Sequence, residues 1–547
     1  MWLINTRTLA LEEIHDPSAV KYAILSHTWE GEEVTFQDMA YLPRAKGKAG
    51  FAKIANACEM ALETEGFGYA WVDTCCIDKT SSAELSEAIN SMFQWYRQAD
   101  VCFVLLSDLP PQTKPQPSPT PPFRRPPEDA AVLGACRWFS RGWTLQELIA
   151  PIYVKFYDAG WQYRFTKDGE ASTLSAITGI DHDVLEFKKE LTAVPVAVKM
   201  SWASRRETTR VEDRAYSLLG LFDINMPMIY GEGHKAFQRL QEEIVKETDD
   251  MSLFAWLAAS GSKQLYRGAF AGSPSEFAHC TTLEQRSRMD ITLTPFSITN
   301  RGVSFNVIVC SSMPEDRLYI DLGCRTGGVC RRCRTEHAVH VGLQHTADGW
   351  VRKSPTECWL INKPATVSRE WDICIRKQIS WERSKDISKF PPHSFRVNFD
   401  LETGQIMASP RHYWNPLSLS FAGEAFAKDF VATFVVPVPQ PAYHRLVLWL
   451  ARYLNGRMVV VLGMQPHPDW EIVEGLLPEV ERYFDRCQDI LEKYRHETSE
   501  AGAGGGSQRR VRVINRHGKQ QLSYQAFTGP NLLVTVKQIY LSREPQT

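Results

Sequence analysis

The amino-acid sequence predicts an α/β protein with a parallel sheet near its start, followed by a helical extension and a β-rich C-terminal domain. Three observations support this prediction. Short apolar runs alternate with amphipathic stretches over roughly the first 110 residues, as the buried strands of a parallel sheet and its covering helices do. The pattern between Val194 and Trp256 is helical. After about residue 263, alternating runs and turn residues predict strands.

The first strand is predicted at residues 22–26, and the helix after it at 51–64, where apolar residues recur at helical spacing. A second strand at 69–73 and a second helix at 83–98 follow in the same way, and 101–106 is the third predicted strand. Ligands of an open α/β sheet bind beyond the carboxyl ends of its strands. The polar residues that follow these strands are therefore the first candidates for a site.

A proline-rich segment interrupts the pattern at 110–127, where nine of eighteen residues are proline. This composition excludes a helix or a central strand and predicts a surface excursion. A fourth strand at 152–157 extends the α/β module, and helices are predicted at 212–219 and 234–247. The predicted divisions of the chain are 1–160, 161–262 and 263–547.

The β-rich domain is predicted from alternating runs at 297–309, 318–322 and 458–462. A helix is predicted around 471–496, and the glycine-rich stretch at 500–508 is predicted to be a flexible linker.

Composition favours a folded, soluble protein, since 44% of the residues are hydrophobic and 23% are charged. The net charge of -2 provides no field that would attract a polyanion, so nucleic acid is not an expected partner. No apolar run is long enough to predict a membrane span. Thirteen cysteines, with Cys75 and Cys76 adjacent, indicate reduced thiols and a cytoplasmic location.

Several blocks of the sequence resemble, in order, the signature blocks of the fungal heterokaryon incompatibility (HET) domain. They are YAILSHTW at 22–29, YAWVDTCCIDK at 69–79, the run at 81–108 and RGWTLQELIAP at 141–151. The resemblance continues over 200–244 to SLFAW at 252–256, which is similar to the helical extension of many fungal relatives. It implies a role in self/non-self recognition, in which fusion of incompatible cells triggers growth arrest or programmed cell death.

The HET domain is in turn similar to the TIR domain, a flavodoxin-like α/β fold whose enzymatic members cleave NAD at the nicotinamide–ribose bond. TIR domains commonly carry a W-C-x-x-E block with a catalytic glutamate. Trp143 and Glu147 keep that spacing, with Thr144 in place of the cysteine. The resemblance implies Glu147 as the catalytic residue of an NAD nucleosidase, and a carboxylate suits a transition state that places positive charge on ribose. Thr144 and Glu147 also match a capping box, a purely structural alternative.

Six further residues are candidates for binding the substrate, because they follow the predicted strands or lie close to Glu147. They are Ser26, His27, Trp29, Asp73, Asp78 and Trp143. Structural alternatives remain open: a histidine in a polar turn is commonly a structural hydrogen-bonding residue, and the two aspartates can cap the following helix. A nucleophilic pair of His27 with Cys75 or Cys76 is a further hypothesis.

A second cluster of potential ligands contains Cys324, Cys330, Cys333 and His337, with His340 nearby. Cys330-x-x-Cys333 is a usable zinc half-site. The surrounding arginines and the irregular spacing favour a plain exposed loop instead, and no metal is assigned to the candidate site.

The sequence leaves two functions open. The first is an incompatibility effector that cleaves NAD as its substrate and needs no cofactor. The second is a non-enzymatic signalling module that assembles through HET–HET or TIR-like domain association. The expected partners are proteins and a small dinucleotide.

Overall fold

The structure is a computed structural model of the 547-residue chain. It describes residues 1–111 and 130–286 without a break. It then describes 296–310, 318–327, 337–346, 349–357, 359–361 and 368–389, followed by separate strands between residues 395 and 536.

A seven-stranded sheet at the start of the chain carries the candidate site. Its strands are β1 (Trp2–Asn5), β2 (Leu11–Glu13), β3 (Tyr22–His27), β4 (Tyr69–Val72), β5 (Val101–Leu105), β6 (Val154–Tyr157) and β7 (Tyr163–Thr166). They lie in the order β2-β1-β4-β3-β5-β6-β7. Strands β4, β3, β5 and β6 are parallel, whereas β1, β2 and β7 add antiparallel edges. The four parallel strands therefore have the order 2-1-3-4, as in flavodoxin-like folds, which confirms the predicted fold class.

The sheet runs past residue 160, the predicted end of the α/β module. Strand β7 pairs with β6 in an antiparallel hairpin, and the Phe156 and Phe165 rings stack at 4.4 Å. Asp158 closes the connecting turn, because its Oδ1 accepts hydrogen bonds from the backbone N–H groups of Gly160 and Gln162. Strand β7 thus belongs to the sheet rather than to the helical extension.

Six helices accompany this sheet in the described residues 1–111 and 130–157. They are α1 (Phe36–Met39), α2 (Leu42–Lys46), α3 (Phe51–Glu63), α4 (Ser82–Gln98), α5 (Ala130–Gly134) and α6 (Thr144–Ile149). The two long ones form where helical spacing predicts them: α3 buries Ile54, Cys58 and Ala61 on one face, and α4 begins after the N-cap residue Ser81. Most of the proline-rich stretch, 112–129, lies outside the described residues.

The extension that follows contains six helices: α7 (Ala171–Thr178), α8 (His182–Leu185), α9 (Val196–Trp202), α10 (Asp213–Tyr216), α11 (Leu219–Phe222) and α12 (Lys235–Glu247). The single helix predicted at 212–219 is instead two short ones. Helix α11 packs closely on α4, since a Cβ added at Gly220 would lie 2.0 Å from the Cβ of Phe93.

The rest of the described chain is rich in strands, as predicted. One nine-stranded sheet contains β8 (Tyr266–Arg267), β9 (Leu283–Gln285), β10 (Phe296–Ile298), β11 (Val303–Cys310), β12 (Leu318–Thr326), β13 (Ala338–Thr346), β14 (Gly349–Lys353), β15 (Trp359–Ile361) and β16 (Ser368–Ile375). The run predicted at 297–309 is a hairpin of β10 and β11, turned by the hydrogen bond from Thr299 N to Gly302 O at 2.8 Å.

Helix α13 (Trp381–Lys389) comes next, and ten further strands among the described residues form three smaller sheets. They are β17 (Phe395–Phe399), β18 (Met407–Ser409), β19 (Trp414–Asn415), β20 (Ser420–Phe421), β21 (Ala432–Pro437), β22 (His444–Leu454), β23 (Arg457–Pro466), β24 (Arg509–Ile514), β25 (Gln521–Ala526) and β26 (Leu532–Val536). The helix predicted at 471–496 and the linker predicted at 500–508 lie outside the described residues.

A continuous apolar core connects the parallel sheet, the helical extension and the nine-stranded sheet, with Trp71, Trp256 and Phe305 among its members. Within the described part of the chain, no helix combines the length and apolar character that crossing a membrane requires.

Candidate functional site

Glu147 lies on α6, a six-residue helix whose side chains are all buried. The N-cap residue, Trp143, makes no side-chain hydrogen bond to the helix. The hydroxyl of Thr144 instead donates to the backbone oxygens of Trp138, at 2.6 Å, and Arg141, at 3.0 Å. The predicted capping box is therefore absent, and the Glu147 carboxyl is directed at another part of the fold.

The side-chain carboxyl of Glu147 contacts the C-terminal end of strand β3. Ser26 Oγ donates a short hydrogen bond to Glu147 Oε2, and Trp138 Nε1 donates to Ser26 Oγ at 2.8 Å. Trp138 comes from the short 3-10 turn Arg137–Ser140, and Ser26 pairs with Val104 of β5. All three side chains of this cluster, Ser26, Trp138 and Glu147, are buried, with Glu147 6% exposed.

Burial dominates the electrostatics of Glu147 and raises its pKa to about 8. The hydrogen bond from Ser26 acts in the opposite direction, the negative charge of Asp73 adds to the increase, and Arg141 and the Tyr96 hydroxyl oppose it. The carboxyl is therefore mainly protonated at neutral pH in the free protein. A cation bound beside it would favour the ionised form.

His27 lies next to this cluster, between two carboxylates. Its Nε2 is 3.8 Å from Glu33 Oε2 and its Nδ1 is 4.0 Å from Asp73 Oδ1. Both ring nitrogens are buried, and neither has a hydrogen-bond partner among the described residues. Burial acts to raise the pKa of Glu33, but its contacts with His27 and with Lys53, at 2.6 Å, outweigh burial and lower the pKa to about 2.

Trp29 provides an exposed aromatic surface beside Asp73. Its side chain is 44% exposed, and its Nε1 donates to Asp73 Oδ2 at 2.8 Å. The ammonium of Lys79 lies 3.8 Å from the ring centroid. An indole held in this way can stack on a planar ring of a ligand.

The carboxyl end of β5 contributes further polar groups to the same edge of the sheet. Ser107 Oγ donates to Glu30 Oε1 at 3.0 Å, and Arg137 Nη2 donates to the same oxygen at 3.0 Å. The backbone N–H of Arg137 donates to Asp108 Oδ2 at 2.8 Å. The polar residues that follow β3, β4 and β5 thus gather at one edge.

Two predicted binding residues make their hydrogen bonds elsewhere. Asp78 Oδ1 accepts from Thr80 N at 2.9 Å and from Gln37 Nε2 at 2.6 Å, and it shapes the turn before α4. Trp143 Nε1 donates to Asp213 Oδ2 of the helical extension at 3.3 Å. Among the described residues, neither Asp78 nor Trp143 forms a hydrogen bond with Ser26 or Glu147.

The cysteines after β4 do not have the surroundings of a nucleophile. Cys75 Sγ lies 3.8 Å from Val72 O, and Cys76 Sγ accepts from Val72 N at 3.4 Å. Burial raises the pKa of Cys75 well above its usual value, so the thiol stays protonated. The near neighbours of His27 are carboxylates instead.

The second cluster of cysteines and histidines is described only in part. Cys324 is buried on β12, and His340 Nδ1 lies 3.1 Å from Ala338 O on β13. Cys330 and Cys333 lie outside the described residues.

Sequence reasoning missed Trp138, Tyr96 and Glu33 as neighbours of the candidate site. A tryptophan or tyrosine in an apolar stretch has the pattern of a core residue, and Tyr96 lies on the buried face of α4. The available signal was the position of Trp138, inside the loop that leads to Glu147.

Comparisons with known proteins identify the family of this part of the chain. The family described as "Heterokaryon incompatibility protein (HET)" matches residues 22–147, a segment that contains Ser26, His27 and Glu147. A family described as "Domain of unknown function (DUF8212)" matches 235–302. Vegetative incompatibility protein HET-E-1 of Podospora anserina is 43% identical over 229 residues, which cover 41% of this chain and 16% of that protein.

The chain thus spans only a small part of the length of this curated relative, and no solved structure matches it. The family match and the relative agree with the sequence blocks quoted above. Residues 22–147 of this chain thus carry a heterokaryon incompatibility (HET) domain, which confirms the resemblance of the sequence blocks.

Proposed function

We propose that the chain is a vegetative incompatibility effector that acts in self/non-self recognition and causes growth arrest or cell death by cleaving NAD. Glu147 is the reactive carboxyl in this proposal. The observation that carries it is the position of Glu147 against Ser26, at the carboxyl end of β3. The order of the parallel strands reverses between β3 and β5, and α/β folds bind their ligands at such a point.

The proposed reaction breaks the bond between ribose C1′ and the nicotinamide nitrogen. The bonding electron pair leaves with nicotinamide, and ionised Glu147 stabilises the positive charge left on the ribose. Water then adds to C1′ and loses a proton, which yields ADP-ribose. The nicotinamide ring of NAD is itself cationic, so its binding favours the ionised carboxyl that burial otherwise opposes.

In this proposal, groups at the same edge of the sheet contact the other parts of the dinucleotide. The exposed indole of Trp29 offers a stacking surface for a planar ring. Asp73 can accept hydrogen bonds from ribose hydroxyls, and Nδ1 of His27, which has no hydrogen-bond partner among the described residues, lies 4.0 Å from Asp73 Oδ1.

One observation favours a non-enzymatic role. Glu147 is buried and accepts the Ser26 hydrogen bond, so the same contacts also suit a carboxyl that only stabilises the domain. In that case the domain signals by associating with other HET or TIR-like domains.

Nicotinamide release from NAD by the purified full-length chain tests the proposal. We expect release by the wild type, loss of release in Glu147→Gln, and retention in the control Glu65→Gln. Glu65 pairs with Lys155 just before β4, at the opposite end of the strands. Absence of nicotinamide release under self-associating conditions, or unchanged release in Glu147→Gln, would refute the proposed NAD cleavage. Cell death that persists with folded Glu147→Gln would support the assembly module.

A further inference from the structure

The helical extension holds the N-terminal end of the Glu147 helix. Arg206 lies after α9, outside the segment that matches the HET family. Its Nη1 donates to Arg141 O and to Thr144 Oγ1, both at 2.9 Å. Its Nη2 is buried and has no hydrogen-bond partner in the described chain. Burial lowers the pKa of Arg206 to about 10, and the Glu147 carboxyl, when ionised, acts to raise it.

The backbone beside Arg206 pairs with the loop that leads into α6. Gly142 N donates to Glu207 O at 2.8 Å, and Glu207 N donates to Ser140 O at 2.7 Å. The approach is so close that a Cβ added at Gly142 would lie 2.4 Å from Thr208 Cγ2. Segment 206–208 therefore forms a strap along this loop.

The C-terminal end of α6 is held by Lys167, the residue after β7. Its Nζ donates to Leu148 O at 3.2 Å and also to Pro151 O. Lys167 is fully buried, which lowers its pKa to about 7. An isolated helix of six residues is unstable in water, so contacts from outside must keep α6 in place.

We propose that the helical extension is an integral part of the Glu147 site, with Arg206 as a positioning residue that keeps α6, and hence the Glu147 carboxyl, against Ser26. The claim that this position of Glu147 matters for catalysis rests on the proposed NAD cleavage. The claim that Arg206 fixes the position of Glu147 does not depend on it. Segment 22–147 alone lacks both Arg206 and Lys167 and is therefore an incomplete site. Anything that displaces strap 206–208 would move Glu147.

The reactivity of two buried thiols, one beside α6 and one on another helix, distinguishes local loosening of α6 from unfolding of the whole domain. Cys102 on β5 lies directly under α6, with its Sγ 4.0 Å from Glu147 O. Cys58 is equally buried, on α3. Alkylation of each thiol in the native full-length protein, followed by mass spectrometry, measures how often each becomes accessible.

We expect Arg206→Met to accelerate labelling of Cys102 by about tenfold or more, which corresponds to about 1.4 kcal/mol, and to leave Cys58 unchanged. Arg206→Lys keeps the positive charge but loses the Nε donor, which bonds to Trp202 O at 3.3 Å, so its effect should be smaller than that of Arg206→Met. Arg205→Met removes the charge of the exposed neighbour and should change neither rate.

Unchanged labelling of Cys102 in Arg206→Met, or equal acceleration at both thiols, would overturn the proposal. If Arg206→Met does not fold, Arg206→Lys decides by the same comparison. For NAD cleavage, a positioning role predicts that kcat falls while KM is retained, with partial rescue by lysine. A wild-type protein that cleaves no NAD would refute the proposed function. The labelling experiment would still test the positioning role of Arg206, because thiol labelling needs no NAD.

Discussion

Replacing Glu147 by glutamine should remove the pH dependence of stability that this residue imposes. Burial raises its pKa from 4.5 in the unfolded chain to about 8 in the folded protein. Between these values the folded protein binds a proton that the unfolded chain has lost. The free energy of unfolding therefore falls by about 1.4 kcal/mol for each pH unit in this range. The full effect by pH 8 is at most about 5 kcal/mol.

Glutamine resembles the protonated carboxyl and can accept the same hydrogen bond from Ser26. Glu147→Gln should therefore match the wild type at about pH 5 and exceed its stability by several kcal/mol at about pH 8. Urea unfolding of both proteins across this range measures the difference, and Glu65→Gln is the matched control for the loss of a carboxylate. A stability difference that does not grow with pH would show that Glu147 is not a buried, protonated carboxyl.

Three other substitutions test single contacts of the candidate site. Ser26→Ala removes the hydroxyl that donates to Glu147, and should cost about 1–3 kcal/mol in urea unfolding at mildly acidic pH; no change would contradict the contact. Asp73→Asn removes a negative charge that raises the pKa of Glu147, so the carboxyl should titrate at lower pH by carbon-13 NMR, and a higher midpoint would contradict this. Gly142→Ala forces a Cβ to within 2.4 Å of Thr208 Cγ2, and should lower the melting temperature by an amount equivalent to about 1–3 kcal/mol; an unchanged melting temperature would show that the strap is not tightly packed.

The parallel part of the sheet could be predicted because strands buried on both faces are continuous apolar runs. The run 101–106 has this pattern, and β5 is buried along its whole length. The antiparallel strands β1, β2 and β7 are not predicted in this way. Strands β2 and β7 are short and partly exposed, and β7 exposes Tyr163, so no apolar run marks them. Strand β1 contains the apolar run Trp2, Leu3 and Ile4, which is too short to distinguish a strand from a helix by its pattern.

The candidate site could be predicted only where topology brings residues together. Ser26 lies at the end of β3 and Asp73 directly follows β4, and the ends of these adjacent parallel strands meet at one edge of the sheet. Asp78 lies five residues beyond Asp73, but its side chain turns to its own loop, because distance along the chain does not set side-chain direction. Arg206 carries no sequence signal, since its contact with the Glu147 helix arises only when the extension folds back.

The pH dependence of nicotinamide release tests the central claim most directly. If ionised Glu147 is the reactive group, kcat/KM of the full-length protein should rise with pH, because this parameter follows ionisation of the free protein. The rise should level off above about pH 8, the pKa to which burial raises Glu147, and it should be absent from Glu147→Gln. No nicotinamide release at any pH, or a profile that Glu147→Gln leaves unchanged, would contradict the account.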